Sequence, residues 1–445
     1  MNDLTKQLSQ KIVKSQLTEQ AREAAKAGLK DYFAVTYPVL RELIPDNTWH
    51  KIRQTYPAQD MAGMALKLAY AGHALDYDDF HPDFRGHPSV VILPVLLALL
   101  QQKRVVSTNE FLDAYCIGLE VAGRLGLAIS QQHYAKGFHS TASLGIIAAT
   151  AAMTRLSRFS VEQTANAIGL ACTLASGLRA QFGTAIKPLH AGFVAQKTIE
   201  IYRLVCADIQ GQQENVLQAF MKAYSDAPAL DQQLLINNWG KPFRIIQPGL
   251  EFKPYASCAG THTTIEVIKT LKKKELATGK DLLTFLNEIE KIEFIFPPNA
   301  DIAMPITRPK TKFEGRFSLE YVTAVSLLKE DLNPLDFIEQ EIEQNIQDLM
   351  DKMIRCPDMN AEDDAVNPAN RFNAVRIFLK DNLCLEGHLS RKEFVKQKID
   401  LNIKLKQCLV GLAVSEISQI EQALRLNSTD DLYLIKDLLK NSCDA

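Results

Sequence analysis

The spacing of apolar residues is helical over most of the first 245 residues of the chain. Residues 4–29 carry apolar side chains at three- and four-residue intervals, the period of a helix that buries one face. The same period recurs in residues 61–74, 90–101, 109–129, 140–156 and 160–178. Several of these segments are rich in alanine and glycine, whose small side chains allow helices to pack closely. The pattern therefore predicts a large helical domain.

The pattern changes after about residue 249. Residues 292–296 are mostly apolar and end at two prolines, which predicts a strand, and residues 374–380 predict a second strand. Between them, apolar residues of the 335–349 segment predict an amphipathic helix with an acidic, solvated face. Residues 415–441 are helical again and could fold back on the first domain. These segments predict a smaller α+β domain, so that the fold class is mainly α.

Composition and charge exclude several classes of protein. Apolar residues make up 47 % of the 445 residues and charged residues 23 %, which is typical of a folded globular protein with two or three domains. The net charge of −2 gives no electrostatic reason to bind nucleic acid or an anionic membrane. The longest apolar run, residues 90–100, is shorter than the about 20 residues of a membrane span. We expect no nucleic-acid or membrane partner.

The N-terminal residues and the cysteines indicate a cytoplasmic protein. The first 17 residues are amphipathic and contain no apolar secretory segment. The eight cysteines are scattered and form no CxxC pair, which is typical of reduced thiols and argues against a zinc ribbon. No glycine-rich dinucleotide motif, phosphate loop or hydrolase elbow is present.

The densest group of polar residues is HALDYDDFHPDFRGHPS, residues 73–89. Three histidines and four aspartates lie within its first fifteen residues. A metal site is one interpretation, although the spacing matches neither an EF-hand nor an HExxH helix. The others are a polar loop that caps the helix starting near Pro88, or a catalytic loop, because histidine and aspartate together transfer protons near neutral pH.

Three further motifs carry candidate site residues. His139 directly precedes a predicted helix, where it is a cap, a core histidine or a catalytic group. Thr184 and Lys187 lie beside Pro188 at a helix start, where free N–H groups and the helix dipole favour an anion. The segment KPYASCAGTH, residues 253–262, lies at the boundary between the two patterns, a favoured place for a cleft.

Two residues of these later motifs have alternative interpretations. Cys258 is followed by His262, which suggests a catalytic thiol, but a buried and inert cysteine is the more frequent case. Tyr321, in GRFSLEYV, is either a core aromatic residue or an acid/base group, and the motif does not decide.

Five motifs, taken in order, resemble the MmgE/PrpD family. They are HALDYDD…GHPS, GFH, ASGLRAQFGT-x-x-KPLHAG, KPYxSCxGTH and RFSLxY. The resemblance implies a large all-helical domain, residues 1–247 completed by 405–445, and a smaller α+β lid domain, residues 248–404. It also implies a homodimer that needs no metal and no organic cofactor and binds a small carboxylate substrate in the cleft between the domains.

The resemblance assigns roles to individual residues. The family pattern matches Asp76, His87, His139 and Tyr321 as catalytic residues. Lys187 and Lys253 match its substrate-binding lysines, and Thr184 and His262 are added as substrate-binding residues from their place in the same motifs. We expect His139 and His87 to carry protons, Asp76 to orient one imidazole, and Tyr321 to be a secondary acid.

The implied activity is that of a cofactor-independent lyase that removes a proton next to a carboxylate of a small di- or tricarboxylate. The family includes 2-methylcitrate dehydratase, cis-aconitate decarboxylase and iminodisuccinate epimerase. An epimerase of a dicarboxylate such as iminodisuccinate and a non-catalytic metabolite-binding homologue are the alternatives. Phe80 and Cys258 stand where the decarboxylase has threonine and histidine, so the exact substrate stays open.

Overall fold

Helices occupy most of the chain up to residue 224. The structure, a computed structural model, describes residues 3–56, 60–102, 104–226, 231–364 and 366–444. The helices of the first part are α1 (Leu4–Lys14), α2 (Glu19–Leu40), α3 (Trp49–Thr55), α4 (Met61–Ala74), α5 (Ser89–Leu99), α6 (Thr108–Ile129), α7 (Gln132–Ala135), α8 (Ser140–Ser143), α9 (Gly145–Leu156), α10 (Val161–Leu174), α11 (Ile186–Cys206) and α12 (Val216–Tyr224). The predicted helical region is therefore confirmed.

Local capping explains where the helices begin. The predicted helix over residues 4–29 is two helices, because the Thr18 side chain accepts a hydrogen bond from the Ala21 N–H at 3.2 Å and starts α2. Ser107 and Glu110 form a reciprocal capping box at the start of α6. The helix predicted over residues 140–156 is likewise divided into α8 and α9.

Small residues allow close contacts around the segment that joins α4 to α5, which we call the 75–88 loop. A Cβ atom at Gly126 of α6 would lie 2.2 Å from the carbonyl oxygen of Asp83, so only glycine permits this approach. α4 also packs against α11, where a Cβ at Gly192 would lie 3.1 Å from the Leu66 carbonyl oxygen. The loop is thus supported by helices that lie far from it in the sequence.

A small mixed sheet lies in the second part of the chain. Its elements and their neighbours are α13 (His262–Leu276), α14 (Leu282–Glu288), β1 (Ile289–Ile295), α15 (Lys312–Gly315), α16 (Leu319–Leu328), α17 (Gln344–Met350), β2 (Met353–Arg355), β3 (Phe372–Leu379), β4 (Cys384–Ser390) and α18 (Arg391–Phe394). The strand order is β2-β1-β3-β4, with β1 parallel to β2 and antiparallel to β3. Both predicted strands are confirmed as β1 and β3, and the mainly α fold class with an α+β part is confirmed.

The helix predicted over residues 335–349 is only partly present. A 3₁₀ turn at Pro334–Phe337 is followed by extended residues, and α17 begins at Gln344. The intervening backbone pairs with the start of α15 instead, since the Lys312 N–H donates to the Gln340 carbonyl oxygen at 2.9 Å. Ile338 and Ile342 are nevertheless buried, so the apolar pattern predicted the burial of these side chains correctly but not the backbone conformation.

The last helices pack on the first part of the chain. They are α19 (Leu401–Cys408), α20 (Val414–Ala423) and α21 (Thr429–Asp444). α19 packs against α2, and the buried Lys404 Nζ lies 2.6 Å from Asp31 Oδ1 and 2.7 Å from the Tyr77 carbonyl oxygen. The predicted division at residues 247 and 404, and a lid that moves, stay predictions. Among the described helices, none has both the length and the apolar character needed to cross a membrane.

Candidate active site

The 75–88 loop carries three polar side chains of the site, Asp76, Asp78 and His87. Asp76 has a φ of 49°, in the left-handed region, so that the chain turns sharply after α4. The Phe80 N–H donates to the Glu251 carbonyl oxygen at 2.9 Å, and the Glu251 N–H donates back to the Phe80 carbonyl oxygen at 2.8 Å. This pair of hydrogen bonds fixes the loop beside the segment that carries Lys253.

Asp76 is the centre of a buried group of charges. Lys187, in the first turn of α11, places Nζ 2.6 Å from Asp76 Oδ1, and Lys253 places Nζ 2.9 Å from the same oxygen. Burial opposes ionisation of Asp76, but the two ammonium groups outweigh burial and hold the pKa of Asp76 below its ordinary value. The two ammonium groups are the cations of this cluster that an anionic ligand would contact.

The Asp78 carboxylate contacts two imidazole rings of the site. His73 Nδ1 lies 3.0 Å from the Asp78 carboxylate, and His87 Nδ1 also lies 3.0 Å from it. His87 Nδ1 is 2.8 Å from the Asp79 carbonyl oxygen as well, so two acceptors assign the ring hydrogen to Nδ1. The closest approach of Asp76 to His87 is 3.9 Å, at Nε2. The expectation that Asp76 orients an imidazole is therefore corrected, because Asp78 makes that contact.

His139 directly precedes α8, as predicted. Its Nδ1 lies 3.1 Å from Nδ1 of His190, and its Nε2 is buried without a hydrogen-bond partner among the described residues. Burial, and then the charges of His73 and Lys187, lower the pKa of His139 below its ordinary value. The ring is therefore neutral at neutral pH and able to accept a proton.

These side chains line one cavity of about 390 Å³. Five predicted site residues contribute to its wall: Asp76, His87, His139, Lys187 and Lys253. Arg179 also lines the cavity, with its guanidinium 4.2 Å from the centre of the Tyr134 ring. Among the described residues, no carboxylate lies within ion-pair distance of Arg179. The cavity therefore combines imidazole rings with several cations, a suitable environment for a carboxylate ligand.

The two positions that depart from the decarboxylase pattern also line the cavity. The Phe80 ring meets the His87 ring edge-on, with centroids 5.9 Å apart. The Cys258 Sγ lies 3.6 Å from the Ala303 carbonyl oxygen, and burial and then Asp76 raise the pKa of the Cys258 thiol. A protonated thiol is a poor nucleophile, so Cys258 is a wall residue of the cavity.

Three predicted site residues do not line the cavity. Tyr321 is buried in α16, and its hydroxyl donates to the Asp336 carbonyl oxygen at 2.5 Å. His262 Nε2 donates to the Ser257 carbonyl oxygen at 3.2 Å. The exposed Thr184 hydroxyl donates to the Gln181 carbonyl oxygen at 2.8 Å and accepts from the Ile186 N–H at 3.2 Å. Each polar group is held by another group of the protein, and none of the three residues lines the cavity.

Four ligand atoms in the site have the spacing of a metal centre. The side chains of His73, Asp76, Asp78 and His87 place one such atom each within 4.8 Å of the others. Two ammonium groups already contact Asp76, and their charges repel a divalent cation at this position. A site without metal or organic cofactor stays a prediction.

Asp78, His190 and Arg179 were not among the site residues proposed from the sequence, and neither was His73. Asp78 lies in the same motif as Asp76, His190 lies in KPLHAG, and Arg179 lies in SGLRAQ. All these residues lie within motifs that the sequence analysis identified. Which side chain of a motif points into the site, however, depends on the turn of the backbone at Asp76 and on the packing of α11.

Buried neutral histidines predict a loss of stability in weak acid. Burial lowers the pKa of His73, His81 and His133 to about 4 and that of His262 to about 3. The unfolded chain takes up these protons as the pH falls through about 6.5, whereas the folded chain does so only near 4. Each histidine therefore lowers the free energy of unfolding by up to about 1.4 kcal/mol per pH unit in this window.

Urea denaturation at pH 7, 6 and 5 measures this effect. We expect the free energy of unfolding to fall steeply below pH 6, and His133→Gln to make the fall shallower. The exposed His50 provides the matched control, since His50→Gln should leave the slope unchanged. Equal stability at pH 7 and pH 5 would contradict the assignment of neutral buried rings.

Family models match both parts of the chain. The MmgE/PrpD N-terminal domain matches residues 7–233, and the MmgE/PrpD C-terminal domain matches residues 255–393. The chain belongs to the MmgE/PrpD family, as its motifs predicted.

The chain is also similar to individual proteins. It is 28 % identical over 296 residues to cis-aconitate decarboxylase of Mus musculus, a match that covers 64 % of this chain and 58 % of the relative. The Homo sapiens enzyme is 28 % identical over 292 residues, covering 63 % and 58 %, and that of Aspergillus terreus (strain NIH 2624 / FGSC A1156) is 24 % identical over 282 residues, covering 60 % and 57 %. The matched region thus spans less than two thirds of each relative.

Proposed function

We propose that this protein is a cofactor-independent lyase that removes water or CO₂ from a small di- or tricarboxylate. The observation that carries the proposal is the arrangement of Lys187 and Lys253 around Asp76, in one cavity with the free Nε2 of His139. Membership of the MmgE/PrpD family and the similarity to cis-aconitate decarboxylases support it.

The cations of the cavity suit the charges of such a substrate. Lys187 and Lys253 are held in place by Asp76 before a ligand arrives, so little reorganisation is needed when a carboxylate binds. Arg179 adds a planar guanidinium that can bind a second carboxylate through two hydrogen bonds. A substrate with two or more carboxylates can therefore contact both cationic groups.

The imidazoles provide the proton chemistry. Removal of a proton next to a carboxylate leaves an enolate-like species, which nearby ammonium groups stabilise. His139 is neutral and its Nε2 is free to take the proton. His87 carries its hydrogen on Nδ1, where two acceptors face it, so Nε2 is the ring atom that can exchange a second proton.

This pair of histidines also supports the second candidate function, an epimerase. Such an enzyme takes a proton from one face of a carbon and returns one to the other, which requires two acid/base groups around one cavity. His87 and His139 both line the cavity and are carried by different segments. The mass of the product distinguishes the two functions, because an epimerase leaves the mass unchanged.

Proton NMR in D₂O with 2-methylcitrate, citrate, cis-aconitate and iminodisuccinate tests the proposal. We expect deuterium at a carbon next to a carboxylate, together with a product that has lost water or CO₂. Exchange without a change in mass would identify an epimerase. Thermal stabilisation by these acids without exchange or product would contradict both functions and indicate a binding homologue. The predicted homodimer and cytoplasmic location stay predictions.

A further inference from the structure

The contact between His139 and His190 connects the main cavity with a second, smaller pocket. Their Nδ1 atoms lie 3.1 Å apart, so one of the two nitrogens carries a hydrogen and the other accepts it. His139 lines the main cavity, whereas His190 is not among the residues of that wall. His190 instead lines a separate small pocket with Ser176, Gly177 and Lys197.

The second pocket lies closer to solvent than His139 does. His190 is 9 % exposed and His139 is 2 % exposed, while Ser176 at the same pocket is an exposed residue. Gly177 has a φ of 116°, and a Cβ there would lie 2.5 Å from the Cβ of Ala142. The chain thus comes close to His190 at this point without a side chain that would cover it.

We propose that His190 relays protons between His139 and the solvent at the second pocket. The inference rests on the proposed function, in which His139 exchanges a proton with the substrate carbon. A bound substrate covers the cavity side of His139, so a proton on this ring needs another route. The second pocket supplies that route through His190.

The relay takes up one proton at His139 and releases one proton from His190. When the C–H bond breaks, its electron pair stays on carbon and His139 Nε2 takes the proton. The Nδ1 hydrogen of His139 passes to Nδ1 of His190, and His190 loses a proton from Nε2 to water. Both rings end neutral, each with its hydrogen on the other nitrogen. The reverse order takes a proton from water at His190 Nε2 and delivers the His139 Nε2 hydrogen to carbon, as decarboxylation requires. After product release the same reverse order restores the first state, with water in the main cavity accepting the His139 Nε2 hydrogen.

Kinetics of His190→Asn test the relay. Asparagine places a polar atom near the former Nδ1 position and keeps a hydrogen bond to His139, but it cannot pass a proton onward. We expect kcat to fall about 10–10²-fold in dilute buffer, less than for loss of the base itself, with KM unchanged. Added imidazole should restore kcat in His190→Asn, and more strongly in His190→Ala, where it can occupy the vacated volume.

Several results would overturn the relay. They are a wild-type kcat in His190→Asn at low buffer concentration, or a loss of kcat that no concentration of imidazole restores in either variant. A wild-type protein that turns over none of the four acids would overturn the proposed function instead. In that case ¹⁵N NMR of histidine-labelled protein saturated with citrate tests the relay. Nδ1 shifts averaged between the two rings support it, and shifts fixed at separate donor and acceptor values overturn it.

Discussion

Replacement of His139 by asparagine lowers turnover of the acid identified by NMR about 10²–10⁴-fold, the loss expected for a general base. In the proposed mechanism the free Nε2 of His139 takes the proton, and asparagine has no titratable group to replace it. Asparagine keeps a polar atom near His190, so the local hydrogen bond is retained. Steady-state kinetics give kcat and KM for both proteins, and the fall should lie mainly in kcat.

A matched histidine provides the control for this prediction. His50 is exposed on α3 and does not line the cavity, so His50→Asn should keep the wild-type kcat. Thermal denaturation of both variants checks that each is folded. A folded His139→Asn protein with near-normal kcat would remove His139 from the mechanism.

Replacement of Lys404 by methionine lowers the free energy of unfolding by about 3–5 kcal/mol at neutral pH, the loss expected when one partner of a buried ion pair is removed. Lys404 Nζ contacts Asp31 at 2.6 Å, and both side chains are buried. Burial already raises the pKa of Asp31, so Asp31 without its cation takes up a proton more readily. The loss of stability should therefore be smaller at pH 5 than at pH 8, as urea denaturation measures.

Two further variants separate the lost ion pair from lost packing. Lys406 lies on the same helix and its side chain is 63 % exposed, so Lys406→Met should leave stability nearly unchanged. The double variant Asp31→Asn/Lys404→Met has no buried charge without a partner at this position and should recover part of the loss. A double variant that is less stable than Lys404→Met would contradict the proposed origin of the effect.

The sequence was most informative about helices with one apolar face. α4 and α6 begin and end within a residue of their predicted bounds, because polar caps and buried faces agree there. Strands β2 and β4 were missed for different reasons. β2 has three residues, and β4 is an edge strand in which Gly387 gives room to Val267 of α13. Neither carries an apolar pattern of its own.

The sequence identified the motifs that form the site but not which side-chain atoms contact one another. It grouped Asp76, His87 and His139 correctly at one cavity. It could not tell that Asp76 would face ammonium groups and Asp78 the imidazoles, because both directions follow from the positive φ of Asp76. Tyr321 shows the same limit, since its hydroxyl points to the backbone of a segment 15 residues along the chain.

Three remote segments hold the 75–88 loop and the end of α4 that leads into it. Glu251 pairs with Phe80, Arg316 donates to the Ala74 carbonyl oxygen, and Lys404 donates to the Tyr77 carbonyl oxygen. The last two contacts join residues separated by 242 and 327 positions, so α4 and α5 cannot order this loop by themselves. Contacts of such long range require the closure of long loops, which slows folding. Activity regained after dilution from denaturant consequently reports assembly of the entire polypeptide, whereas far-ultraviolet circular dichroism reports only its helices.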